Sequence, residues 1–150
     1  MIKGMRRVSV AVRNLDEAMR FYVDGMGLAI EREFELPENN LKLVRLGAGG
    51  AAIELMQSTA ADTAVARFIE RYGEGLHHIS VEVEDIELEM RTLLARGVTL
   101  IDQQPRNGPD GRVAFVSPLS TSGVLLELFE PAVQPAADTP QEPHYDEEMP

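Results

Sequence analysis

The sequence predicts an α+β fold of two tandem βαβββ modules with a linker helix between them. Three observations carry this expectation. First, three blocks recur in the same order. Residues 7–15 (RVSVAVRNL) align with 78–86 (HISVEVEDI) at an offset of 71, Gly27-Leu28 with Gly97-Val98 at 70, and 50–55 (GAAIEL) with 123–128 (GVLLEL) at 73. An ordered series with so little drift indicates one unit present twice. Second, Val8, Val10 and Val12 alternate with Arg7, Ser9 and Ala11, the period of a strand. Third, Asn14 and Asp85 follow the two first strands and are good N-caps for helices.

The elements follow in order. After the strand ending at Val12, Leu15, Ala18, Met19 and Tyr22 share one face of a helix from Leu15 to about Asp24. Gly25 and Gly27 end it. Strands are expected at 28–35, 41–47 and 51–57, separated by turns at Pro37-Glu38-Asn39-Asn40 and Gly47-Ala48-Gly49-Gly50. A linker helix from Ala60 to Tyr72 places Val65, Phe68, Ile69 and Tyr72 on one side, and Gly73 and Gly75 close it. The second module repeats the order: a strand at 78–83, a helix at 86–96 stopped by Gly97, and strands near 98–102, 112–117 and 124–129. The expected organisation is one domain over 1–131, with module one at 6–57, the linker helix at 60–73 and module two at 76–130.

Composition excludes several classes. The 150 residues carry a net charge of −11, without Cys or Trp. Lack of Cys removes disulfide scaffolds, thiolate zinc sites and Cys nucleophiles, and fits a cytoplasmic protein. No basic stripe suits nucleic acid, no apolar run is long enough to span a bilayer, and no secretory signal opens the chain. Five of the nine prolines and five acids fall within 131–150, with no Lys or Arg. Residues 132–150 therefore read as a disordered acidic tail.

The repeat also points to chemistry. Arg7 and His78 open the first strands of the two copies, and Glu54 and Glu127 sit inside apolar runs of the last strands. A buried carboxylate there costs several kcal/mol unless it is paired, hydrogen-bonded or metal-bound. One such Glu is commonly a solvent-facing strand residue. Two at equivalent positions favour a shared site, because a pseudo-two-fold would bring Arg7, Glu54, His78 and Glu127 toward one cleft. Arg106, Arg112 and Lys42 read as solvated surface charges.

At these residues the chain resembles a known family. The segments VSVAVRNL (8–15), GEGLHHI (73–79) and GVLLEL (123–128), set in a βαβββ duplication, look like the vicinal oxygen chelate superfamily. The likeness is closest to the methylmalonyl-CoA epimerases, with the glyoxalases more distant. It runs from about residue 6 to 131, and FIERYG (68–73) and RVAF (112–115) support it.

The resemblance implies a divalent metal (Co, Mn, Zn, Ni or Mg) held by one residue from each of four strands. Three of these fall on Glu54, His78 and Glu127. The fourth should be a His and is Arg7, whose guanidinium cannot ligate a metal. His77, beside a ligand position, should point to the other sheet face. The family's base falls on Glu38 by position, and Glu127 would be the second base. The Lys of the family's His-Pro-Lys-Ser segment is missing from SPLS (117–120).

Two alternatives stay open. Either Glu54, His78 and Glu127 hold a metal with water completing the set, or Arg7 has replaced the metal and polarises a carbonyl oxygen itself. The implied activity is epimerisation of a CoA thioester by α-proton abstraction. The other expectations are a glyoxalase-like lyase and a metal-free protein that binds or sequesters a small molecule. The implied partner is a small-molecule substrate, and a homodimer is left open.

Overall fold

The computed structural model describes residues 1–133. From residue 134 onward the expected acidic tail lies outside the described residues. The elements are β1 (Ile2–Ala11), α1 (Leu15–Met19), β2 (Ile30–Leu36), β3 (Leu41–Ala48), β4 (Ala51–Ser58), α2 (Ala64–Tyr72), β5 (Gly75–Val83), α3 (Ile86–Ala95), β6 (Arg106–Asn107), β7 (Gly111–Val116) and β8 (Leu126–Pro131). This is the expected α+β order, two βαβββ halves joined by a helix.

All eight strands form one mixed sheet in the order β2-β3-β4-β1-β5-β8-β7-β6. β1 runs parallel to β4 and β5 parallel to β8, while β1 and β5 pair antiparallel at the centre. The second half thus mirrors the pairing of the first. The sheet curls until its two ends meet: Asp110, in the turn after β6, contacts Arg32 on β2 and Arg45 on β3.

Local chemistry explains the elements. Asn14 accepts a hydrogen bond from the Glu17 N–H, Thr63 from Ala66 and Asp85 from Leu88, each satisfying an orphan donor of the helix it opens. Gly49-Gly50 makes a two-residue turn between β3 and β4, with Gly49 at φ +74°.

Three boundaries differ from expectation. The first helix is α-helical only to Met19. It continues as a wider π-helical stretch, Arg20–Gly25, that keeps Met19, Tyr22 and Val23 against the sheet. α2 starts later than Ala60, because Thr63 supplies the cap. The strand expected at 98–102 is reduced to a single bridge, Leu100 with Val116. There the Asp102 carboxylate takes the Phe115 N–H at 2.7 Å, so that donor is not free for a ladder. Regular pairing resumes only at β6, beyond Pro105.

Alternation along the strands sorts the side chains onto two faces. On the outer face, α1 covers Val12, Val44, Leu46 and Leu55, and α3 covers Val83, Ala114, Val116 and Leu128. On the inner face, α2 packs against Ala11, Leu43 and Met56. It closes one end of the concave side. The rest of that side carries Arg7, Ser9, Glu54, His78, Ser80 and Glu127, all buried.

Candidate active site

The sheet register sets the site in two rows. Across β3, β4, β1 and β5 run Arg45, Glu54, Ser9 and His78; across β7, β8, β5 and β1 run Phe115, Glu127, Ser80 and Arg7. Each row holds a Glu beside a Ser of the neighbouring strand. Ser80 Oγ donates to Glu127 Oε1 at 2.8 Å, and Ser9 Oγ lies 3.5 Å from Glu54 Oε1.

Each carboxylate also faces a guanidinium. Arg7 Nη2 donates to Glu127 Oε1 at 2.9 Å, with both side chains under 10 % exposed. Arg45 grips Glu54 Oε2 through Nη2 at 2.9 Å and Nε at 3.2 Å. Such charge-assisted bonds offset the desolvation that burial imposes. Arg7 stacks over Phe129, 4.7 Å from the ring centre. Its Nε is buried without a hydrogen-bond partner among the described residues. Glu127 Oε2 lies 3.7 Å from His78 Nε2.

His78 is neutral at physiological pH. Burial, the neighbouring His77 and the Arg7 charge push its pKa down to about 3, against the pull of Glu54. Its ring packs edge-on against Phe115 at 5.3 Å. His77 is not on the opposite sheet face as expected. Its ring lies 5.2 Å from that of His78 and 5.0 Å from Phe68 of α2. The cause is a β-bulge. Ser9 pairs with His78 and Val10 with Leu76, so His77 is an extra residue in β5. A second bulge makes Arg6 extra in β1, and Arg6 lies over Phe129 beside Arg7.

Four predicted site residues, Arg7, Glu54, His78 and Glu127, therefore line one concave face. Glu38 does not join them. It is exposed on the one-turn 3-10 helix Pro37–Asn39 between β2 and β3. Sequence reasoning missed Arg45 and Asp110. The signal for Arg45 was the Gly49-Gly50 turn, which sets Arg45 opposite Glu54 in the β3–β4 hairpin. Nothing local in the sequence signalled Asp110, whose partners lie at the other end of the sheet.

The residues do not fit the metal that the family resemblance implies. Arg7 and Arg45 each occupy one oxygen of a carboxylate, and a guanidinium has no lone pair to offer. Two Arg, two Glu and a neutral His leave the cluster without the negative charge that attracts a dication. Among the described residues no group of three His, Cys, Asp or Glu is arranged to hold a metal ion. Nor, among them, is any helix long and apolar enough to cross a membrane.

A family model described as the glyoxalase/bleomycin resistance protein/dioxygenase superfamily matches residues 6–115. The chain belongs to this superfamily. Within it, an uncharacterised Bacillus subtilis protein, YqjC, is 36 % identical over 125 residues, covering 83 % of this chain and 89 % of that one. The mitochondrial methylmalonyl-CoA epimerase of Dictyostelium discoideum is 34 % identical over 131 residues, covering 86 % of this chain and 79 % of that one. A probable lactoylglutathione lyase of Vibrio cholerae is 31 % identical over 124 residues, covering 79 % and 84 %. The crystal structure of methylmalonyl-CoA epimerase from Mycobacterium tuberculosis superposes with a TM-score of 0.82 at 30 % identity, covering 88 % of this chain and 90 % of that one. The curled sheet with its covering helices is thus the fold of the superfamily's epimerases.

Proposed function

We propose that this superfamily member is an epimerase-type enzyme for a CoA thioester of the methylmalonyl kind, in which Arg7 takes the part that a metal plays elsewhere. The observation that carries this reading is the buried Nε–H of Arg7, without a partner among the described residues, beside the carboxylate of Glu127. A buried donor without a partner is costly, and a substrate oxygen would satisfy it once the side chains around Arg7 open to admit it.

The step follows from that geometry. The substrate Cα–H bond breaks, and the proton passes to Glu127 Oε2. The electron pair moves into the Cα–C(O) bond and onto the thioester oxygen. The Arg7 Nε–H meets the charge that develops there, and in a dry site such a donor is worth most in the transition state. Arg7 and Ser80 hold Oε1, which orients Oε2 toward its task. Inversion needs a second acid on the opposite face of the enolate. We assign it to Glu38, the family's base by position, which stands outside the buried cluster and would have to reach the enolate from the exposed β2–β3 turn. The same reading takes the two halves as copies of one unit, because their strand order is mirrored and the Arg6 and His77 bulges lie 71 residues apart, the offset of the first sequence blocks.

The test is incorporation of solvent deuterium at Cα of methylmalonyl-CoA, followed by mass spectrometry. Wild type should exchange. Arg7→Lys keeps the charge facing Glu127 but removes the second donor, and should slow exchange by about 10²–10³-fold. Absence of exchange in the wild type would overturn the reading. Neutralisation of both carboxylates by guanidinium groups favours a second reading, a binding protein without turnover. In that case the thioester would raise the melting temperature without exchanging its proton. Isomerisation of a hemithioacetal would instead place the chain with the glyoxalase-type relatives.

A further inference from the structure

Where the two ends of the sheet meet, two guanidinium groups converge on one carboxylate. Arg32 Nη1 lies 2.7 Å from Asp110 Oδ1, and Arg45 Nη1 lies 2.8 Å from Asp110 Oδ2. The two Arg stand on β2 and β3, while Asp110 reaches them from the β6–β7 turn at the far end of the sheet. Both guanidiniums lie over the Phe34 ring, at 4.3 and 5.3 Å from its centre. That contact orients them and gives the pair an apolar floor. Arg45 also reaches inward to Glu54, so this pair touches the inner cluster directly.

Charge defines what the pair would accept. Without Asp110, Arg45 keeps Glu54, but Arg32 loses its one ion-pair partner among the described residues. One uncompensated positive charge and two forked donors then face the cleft, the complement of a single carboxylate. The Asp110 side chain is 26 % exposed and that of Arg32 44 %. An incoming anion can therefore reach Arg32 from solvent, while Arg45, 13 % exposed, becomes accessible as Asp110 leaves.

We propose that Arg32 and Arg45 are the subsite for a free carboxylate on the acyl part of the substrate, and that Asp110 holds their place until that carboxylate displaces it. The inference rests on the thioester reading above and adds the residues that select for a second acid group. The exchange is one carboxylate for another, so the hydrogen-bond count and the net charge at the pair are preserved. Asp110 thereby acts as an internal competitor, and its turn moves away as substrate enters.

Isothermal titration with methylmalonyl-CoA and propionyl-CoA tests this. The two esters carry the same phosphates, and only the first has the free carboxylate. Wild type should prefer methylmalonyl-CoA by only about threefold, because the incoming carboxylate displaces one already bound to the two Arg. Arg32→Met should erase the preference while leaving propionyl-CoA binding unchanged. Asp110→Asn should tighten methylmalonyl-CoA and leave propionyl-CoA unchanged. An unaltered preference in Arg32→Met would place the carboxylate elsewhere and overturn the proposal. So would weaker methylmalonyl-CoA binding by an Asp110→Asn protein of unchanged melting temperature, since Asp110 would then be a strut. If neither ester binds wild type, the thioester reading fails on its own. The subsite is then judged with methylmalonate: a melting-temperature rise in wild type that is lost in Arg32→Met supports it, and no such difference overturns it.

Discussion

Arg7 is where a single residue decides most. A buried ion pair is costly to half-remove, because the remaining charge has no water to turn to. Arg7→Met should destabilise by about 3–5 kcal/mol in urea unfolding. The double variant Arg7→Met/Glu127→Gln should recover much of that loss. A double variant destabilised by the sum of the two single losses would show that the pair is not coupled. His78 makes a different prediction. Its folded pKa, about 3, lies below the ordinary value of 6.5. Between these values the unfolded chain binds a proton that the folded chain refuses. Its contribution is therefore complete above about pH 6.5 and is lost as pH falls toward 3. His78→Gln should flatten the acid limb of the stability curve by about 1.4 kcal/mol per pH unit within that window. An unchanged limb would mean that His78 titrates normally.

At the scale of elements, turn chemistry and alternation made most of the fold readable. Asn14 and Asp85 predicted two helices, and both residues cap them. The hydrophobic periods predicted the packed sides of the first and linker helices, Leu15, Ala18, Met19 and Tyr22 in one and Val65, Phe68 and Ile69 in the other, whereas Tyr72, expected with the latter, is exposed. The bulges were less accessible. An extra residue changes which face follows, and a strict period of two therefore misplaces His77. The strand expected at 98–102 has strand-like residues, yet the Asp102 carboxylate occupies a backbone donor that pairing would need. The β7–β8 pairing yields its own prediction. A Cβ on Gly111 would collide with the Glu130 carbonyl oxygen and with the backbone of Pro131 and Ala132. Gly111→Ala should push β7 and β8 apart, cost about 1–3 kcal/mol and displace the adjacent Asp110. An unchanged melting temperature would mean that the strands separate freely there.

Across the whole molecule, the buried polar cluster draws on both halves of the sheet. Glu54 and Glu127 stood out as candidates because a Glu recurs in two similar apolar runs, and both are buried on the inner face. Their partners were legible only in part. Arg45 sits across a tight hairpin and could have been read from it, whereas Asp110 becomes a neighbour only when the sheet curls end to end. The departure at Arg7 was visible in the sequence, but its consequence was not. The structure shows that a second guanidinium, Arg45, balances the second carboxylate, so the cluster is complete in charge. The most direct measurement is therefore deuterium exchange into methylmalonyl-CoA by protein stripped with a chelator and checked by elemental mass spectrometry, with Co²⁺, Mn²⁺ or Zn²⁺ then added back. Exchange that continues in the stripped protein, does not rise on addition of metal and collapses in Arg7→Lys is the predicted result. Exchange that vanishes on stripping and returns with metal would contradict the assignment of the electrophile to Arg7.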